Sequence, residues 1–211
     1  KTIGALNDYY VLKGIEKVYN LNAYSPKENH LLDIDKGLVR ISEDTECAIQ
    51  VLGYIDKTKD VFTWGWSDQL NVPSGVKRAA GDLRAFGITY DIDDFTNETK
   101  QLNGADISRI AFSSVGLCKA DGLLFFPYQN GTIGVLVFGK TFPLCDESRV
   151  NILRTMVEMR TPRRMRNHKT AVMAYCKEFS LNVAEDENVL VIDDRFGEVS
   201  MTFDENGQID G

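Results

Sequence analysis

The period at which apolar residues recur changes several times along this chain, and each change marks an element. In "ALNDYYVLKGIEKVYNLN", residues 5–22, Leu6, Tyr9, Tyr10, Leu12, Ile15 and Val18 return at close to helical spacing. Asn7 or Asp8 is placed to start that helix. Two short strands follow, "HLLDID" and "GLVRIS", joined through Lys36 and Gly37. "CAIQVLGYI" and "VFTWGWS" are rich in β-branched and aromatic residues and predict a hairpin across the polar "DKTKD". Helical spacing then returns in "VPSGVKRAAGDLRAFG", where Val76, Ala79, Ala80, Leu83 and Phe86 share a face. Ser74 is placed to cap this helix and Gly87 to end it. "ADISRIAFSSVGLC" predicts another helix, with Ile107, Ile110, Ala111, Ser114, Val115 and Cys118 on one side. The stretch between them, "ITYDIDDFTNETKQLNG", reads as a loop with one extended piece.

"DGLLFFPYQNGTIGVLVFGK" is the clearest hairpin, its turn expected at Asn130-Gly131, where positive φ angles suit the residues. Both arms are nearly unbroken apolar runs, so the pair should be central in its sheet or buried on both faces. Pro127 has no N–H to give and implies an edge or a bulge. After Pro143 the composition shifts. "DESRVNILRTMVEMR" and "NHKTAVMAYCKEFSLN" predict two helices, with Asp146 and Ser148 as caps and a break at Pro162. A closing hairpin, "NVLVIDDRFGEVSMTFDENGQID", turns near Arg195 to Gly197. The sum is an α+β fold: an antiparallel sheet built from hairpins, covered by helices on one face, with a C-terminal helix-helix-hairpin extension. We divide the chain into residues 1–143 and 144–211, the second part either extending the sheet or forming a satellite.

Phe62, Trp64 and Trp66 alternate with Thr63, Gly65 and Ser67, so in a strand the three rings share one face. Exposed together they would form an apolar patch that soluble monomers rarely carry. Two helices follow at once and need a surface to cover, so the rings are expected to wall a core. Trp66, near the strand end, can instead line a pocket mouth with Asp68 beside it.

These stretches resemble an uncharacterised bacterial domain-of-unknown-function family over residues 1 to about 140, roughly two thirds of the chain. The family's layout has an N-terminal helix, a short acidic strand segment, a strand ending in Gly-x-x, and a Trp-x-Trp-Ala-Trp-Ala-Asn motif. Here these read "LLDIDKGLVRIS", "IQVLGYI" and "FTWGWSD". A helix ending in Phe-Gly and a Gly-rich apolar hairpin follow, as "LRAFG" and "DGLLFFPYQNGTIGVLVF" do in this sequence. The chain departs at Phe62, where Trp is usual, and at Asp68, where Asn is usual. The resemblance supports the fold and implies no activity.

Composition narrows the function classes. The 211 residues are 43% hydrophobic and 26% charged, which suits a folded domain with a sizeable core. The net charge of −7 argues against nucleic acid and anionic membrane as partners. No apolar run reaches the roughly 20 residues of a membrane span, so no membrane partner is expected. The chain starts without Met and without the apolar core of a secretory signal. Cys47, Cys118, Cys145 and Cys176 are far apart and form no C-x-x-C pair, which fits a reduced, cytoplasmic protein.

Catalytic signatures are missing from the string. It has no nucleophile elbow, zinc-binding His pair or phosphate loop, and we expect no cofactor and no metal. "DIDD" (Asp91, Asp93, Asp94), "DID" (Asp33, Asp35) and "DENGQIDG" are acidic but lack a full calcium-loop spacing. Between Arg154 and Lys169 six Arg or Lys and one Glu give +5, leaving −12 for the rest. Arg160, Arg163, Arg164 and Arg166 there form a candidate strip for a protein partner. The blander reading is a solvated face that pairs with the chain's own acids, such as "AEDE" at 184–187. The sequence thus favours a non-enzymatic intracellular interaction or binding module. The alternative is a small-molecule or hydrolytic pocket between sheet and helices near Trp64, Trp66, Asp68 and Asp121.

Overall fold

A computed structural model describes residues 3–25, 30–103, 106–146, 148–158 and 165–209. It opens with α1 (Ile3–Tyr24), so Asn7 and Asp8 lie inside the helix rather than at its start. Strands β1 (Leu31–Asp33), β2 (Leu38–Ser42), β3 (Thr45–Asp56) and β4 (Val61–Trp64) follow in sequence, each antiparallel to the last. A short helical turn over Ser74–Val76 leads to α2 (Arg78–Tyr90), then α3 (Asp93–Thr96), β5 (Thr99–Gln101) and α4 (Asp106–Leu117). The hairpin of β6 (Gly122–Tyr128) and β7 (Gly131–Phe138) completes a seven-stranded antiparallel sheet. The remainder is α5 (Arg149–Glu158), α6 (His168–Phe179), β8 (Asn182–Asp186), β9 (Val189–Asp194) and β10 (Gly197–Thr202).

The sheet is organised by β3. Along one edge it pairs with β7, from Ala48 to Asp56. Along the other it pairs first with β2 and then with β4, so the sheet forks. The register against β7 shifts between Val51 and Gly53, and this bulge changes which side chains face which way. Cys47, Ile49 and Val51 point into one core with Ile133, Val135 and Val137. Leu52 and Ile55 point instead to the helices, with Phe62, Trp64 and Leu136. The apolar β7 is central, as its composition requires, and β6 is an edge strand that tolerates Pro127.

Four local expectations change. The two-residue turn of the β6–β7 hairpin is Gln129-Asn130, with Gln129 at φ 50°, and Gly131 already belongs to β7. A Cβ on Gly131 would lie 2.0 Å from the Ile55 carbonyl oxygen, so the glycine is there for close approach to β3. Gly87 does not end α2, which runs to Tyr90 and closes on Asp91 in the left-handed region. Ser74 does not cap it either: the Ala79 N–H donates to Gln50 Oε1 on β3, 3.2 Å away. The segment read as a loop with one extended piece before α4 does hold that piece, the short β5, and in addition the single turn α3.

The C-terminal strands pair only with one another, in the order β10-β9-β8. Strand β8 was not legible, because "NVAED" carries acids and little β-branching. Helices α5 and α6 pack on α1, and a core of Val11, Leu12, Ile15, Leu153, Val172, Tyr175, Leu190 and Ile192 lies between them. Ser148 caps α5 through Asn151 N–H, as expected, and Asn167 caps α6 through Thr170 N–H.

Candidate functional site

The aromatic motif is a core wall with one loose end. Phe62 and Trp64 are fully buried and meet edge to face at 4.9 Å. Trp64 meets Phe95 the same way at 5.5 Å, and its Nε1–H donates to the Asp94 carbonyl oxygen at 2.9 Å. Burying a ring of this size contributes about 2 kcal/mol or more. Strand β4 stops at Trp64, so Trp66 sits in the following turn, half-buried, with the Arg84 guanidinium 4.2 Å from its ring. Its Nε1–H is buried with no acceptor among the described residues. Asp68 is exposed. Asp121 closes the mouth of the β6–β7 pair: it accepts from Gly139 N–H at 3.0 Å and lies 3.9 Å from Lys17 Nζ. Trp64, Trp66, Asp68 and Asp121 line neither of the two large cavities below.

Of the basic strip, Arg160, Arg163 and Arg164 lie outside the described residues. Arg166 donates its backbone N–H to Asp8 Oδ1 at 2.8 Å, and its guanidinium runs over Gly4 of α1. Lys169 pairs with Glu185 of β8 at 2.7 Å, so one cation of this region is matched by the chain's own acidic stretch. Asp33 pairs with Lys36, whose hydrogen bonds hold its carboxyl below the usual range. Asp94 pairs with Lys100, and Asp204 binds its own turn through Asn206 and Gln208 N–H. Among the described residues no three His, Cys, Asp or Glu converge as metal ligands.

One cavity, 740 Å³, is a groove beside β1 and the end of β6, lined by apolar residues such as Leu31, Leu32 and Phe126 as well as by Asp33, Asp35, Lys36 and Arg40. The second, 540 Å³, lies between the sheet and two helices. Its apolar wall is Ala79, Leu83 and Phe86 of α2, Leu117 of α4 and Phe138 of β7, with Ala48 on the floor. The apolar positions predicted for α2 therefore do face the sheet, but Ala48 is too small to fill the space beneath them. Gln50, also on the floor, is fully engaged: its Nε2 donates to the Ile49 and Gly75 carbonyls while Oε1 receives Ala79 N–H. Cys118 edges the cleft, its thiol pushed up to about 12 by burial and then by the charge of Asp82, so it stays protonated and is a poor nucleophile. Arg78, Asp82 and Lys119 stand at the rim. Sequence reading did not find this site, because Ala48 and Phe138 are brought together only by the β3–β7 register.

The geometry defines an α+β domain: a forked, curled antiparallel sheet with an apolar cleft under its covering helices. The profile of a family of unknown function, DUF6882, matches residues 5–141, and the chain belongs to that family. No curated protein and no solved structure matches it. Among the described residues no helix is long and apolar enough to cross a membrane.

Proposed function

We propose that this protein is a non-enzymatic binding module whose recognition site is the cleft between β3, β7, α2 and α4. The observation that carries this reading is the cleft itself. Its 540 Å³ falls within the size of small-molecule sites, and its walls are aliphatic and aromatic with charges confined to the rim. Cys118, the thiol at its edge, is held in the unreactive protonated form. A protein partner at the basic strip is the weaker reading, since Lys169 already pairs within the chain.

Thermal-shift screening with metabolites tests the proposal. The control is Ala48→Trp, which plugs the floor of the cleft from an exposed strand position. A ligand near saturation should raise the melting temperature of the native protein by about 5 °C and that of the plugged variant by little. Equal shifts in both proteins would place the ligand elsewhere and reject the cleft.

A further inference from the structure

We propose, resting on the cleft reading above, that the occupant is an amphiphilic anion: an apolar body held among Leu83, Phe86 and Phe138, and a carboxylate, sulfonate or phosphate head at Arg78 and Lys119. The interior offers a polar head nothing to bind. Gln50, the polar side chain on the floor, spends its amide on Ile49, Gly75 and Ala79. A ligand that carries a polar group must therefore leave it at the rim.

The rim favours a negative one. Lys119 is exposed and has no ion pair among the described residues. It sits in the left-handed region at the end of α4, at φ 52°. The Ser114, Val115 and Gly116 carbonyls of the last turn are already engaged, by Cys118, Ala120 and Lys119 N–H respectively, so these three do not compete for the ammonium. Arg78 has one carboxylate nearby, Asp82 at 3.9 Å, and both side chains are largely in water, so the pair is weak. Two cations against one anion give the rim an excess of positive charge in a chain of net −7. A cationic ligand would face both cations, and a neutral one would gain nothing from either.

Two fluorescent probes with the same aromatic body separate the head from the cleft. Anilinonaphthalene sulfonate carries the anion, and phenylnaphthylamine is its uncharged parent. Both are titrated into the native protein, into Arg78→Glu/Lys119→Glu, and into Ala48→Trp. The proposal expects the sulfonate to bind the native protein about tenfold more tightly than the parent. The double variant should lose that advantage and keep the parent's affinity, and the plugged variant should lose both. Equal affinity for the two probes, unchanged by the double variant, would overturn the anionic head while leaving the cleft standing. Binding of neither probe, or binding that Ala48→Trp leaves intact, would overturn the cleft and the inference with it. Circular dichroism confirms that each variant is folded, and Ala48→Phe is the smaller plug should the indole disturb the strand.

Discussion

Helix α1 meets its two sets of neighbours by different means. Against α4 it packs backbone to backbone. A Cβ on Gly14 would lie 2.5 Å from the Phe112 carbonyl oxygen, and one on Gly116 would lie 2.7 Å from Tyr10 Cβ. Against the C-terminal helices α1 presents apolar residues laced with buried polar groups. Glu16 is almost wholly buried, accepts from the Tyr175 hydroxyl and lies 3.6 Å from Arg149 Nε. Asn20 accepts from Cys145 N–H at 2.9 Å, and Asp8 from Arg166 N–H at 2.8 Å. The first contact selects small residues, and the second selects partners. Residues beyond 141, which the family match does not include, therefore supply both the cover and the hydrogen bonds for one side of a helix that lies within it.

The largest effect should come from removing that cover. A chain ending at residue 143 exposes Val11, Leu12 and Ile15, each 2% exposed or less in the intact protein. The lost burial, about 6 kcal/mol, is comparable to the whole stability of a domain. Size-exclusion chromatography should show aggregates instead of a monomer, and a stable monomer would make the C-terminal part dispensable.

Glu16→Ala comes next. It strands Arg149 and the Tyr175 hydroxyl beside a buried gap and should cost about 3–5 kcal/mol in urea denaturation. A loss below about 1 kcal/mol would mean that the polar side of α1 does not hold the C-terminal part in place.

Glycines on the other side sharpen the contrast. Gly14→Ala should cost about 2 kcal/mol, because the obstacle is backbone that cannot swing aside. Gly81→Ala, in α2 with nothing within 4 Å of where its methyl would sit, should gain roughly 0.5–1 kcal/mol.

The smallest effects are pH-dependent. Burial alone would raise the carboxyl of Asp194. Hydrogen bonds from Phe196 N, Ser148 Oγ, Val150 N and Gly197 N outweigh it and hold the pKa below the ordinary value. Its contribution is therefore present at neutral pH and lost as the pH falls through that lowered value. Asp194→Ala should cost about 1 kcal/mol at neutral pH and less in strong acid. Asp8 runs the other way. Burial raises its pKa against the hydrogen bonds it accepts, so its contribution is fullest in acid and is lost as the pH rises through the raised value. Asp8→Asn should flatten that loss, which melting curves across the pH range would show.

Helices α2 and α4, the hairpins β3–β4, β6–β7 and β9–β10 and the cap at Ser148 were readable because periodicity and capping are local properties. The burial of Phe62 and Trp64 was also readable, from the cost of exposing rings beside amphipathic helices. Trp66 escaped the shared face because β4 ends two residues before it. Strand β8 escaped because a short edge strand rich in acids gains little from propensity and is held by its pairing with β9. The cleft residues escaped altogether: Ala48, Leu83 and Phe138 come from three elements and carry no motif.

By itself the amino-acid order determined where helices and hairpins form, since each rests on contacts a few residues apart. Only the tertiary structure decided the bulge in β3, the fork of the sheet, the two unlike sides of α1 and the cleft beneath α2. Those depend on which distant backbone segments share hydrogen bonds and how much volume their side chains leave between them, and neither is written in any local stretch.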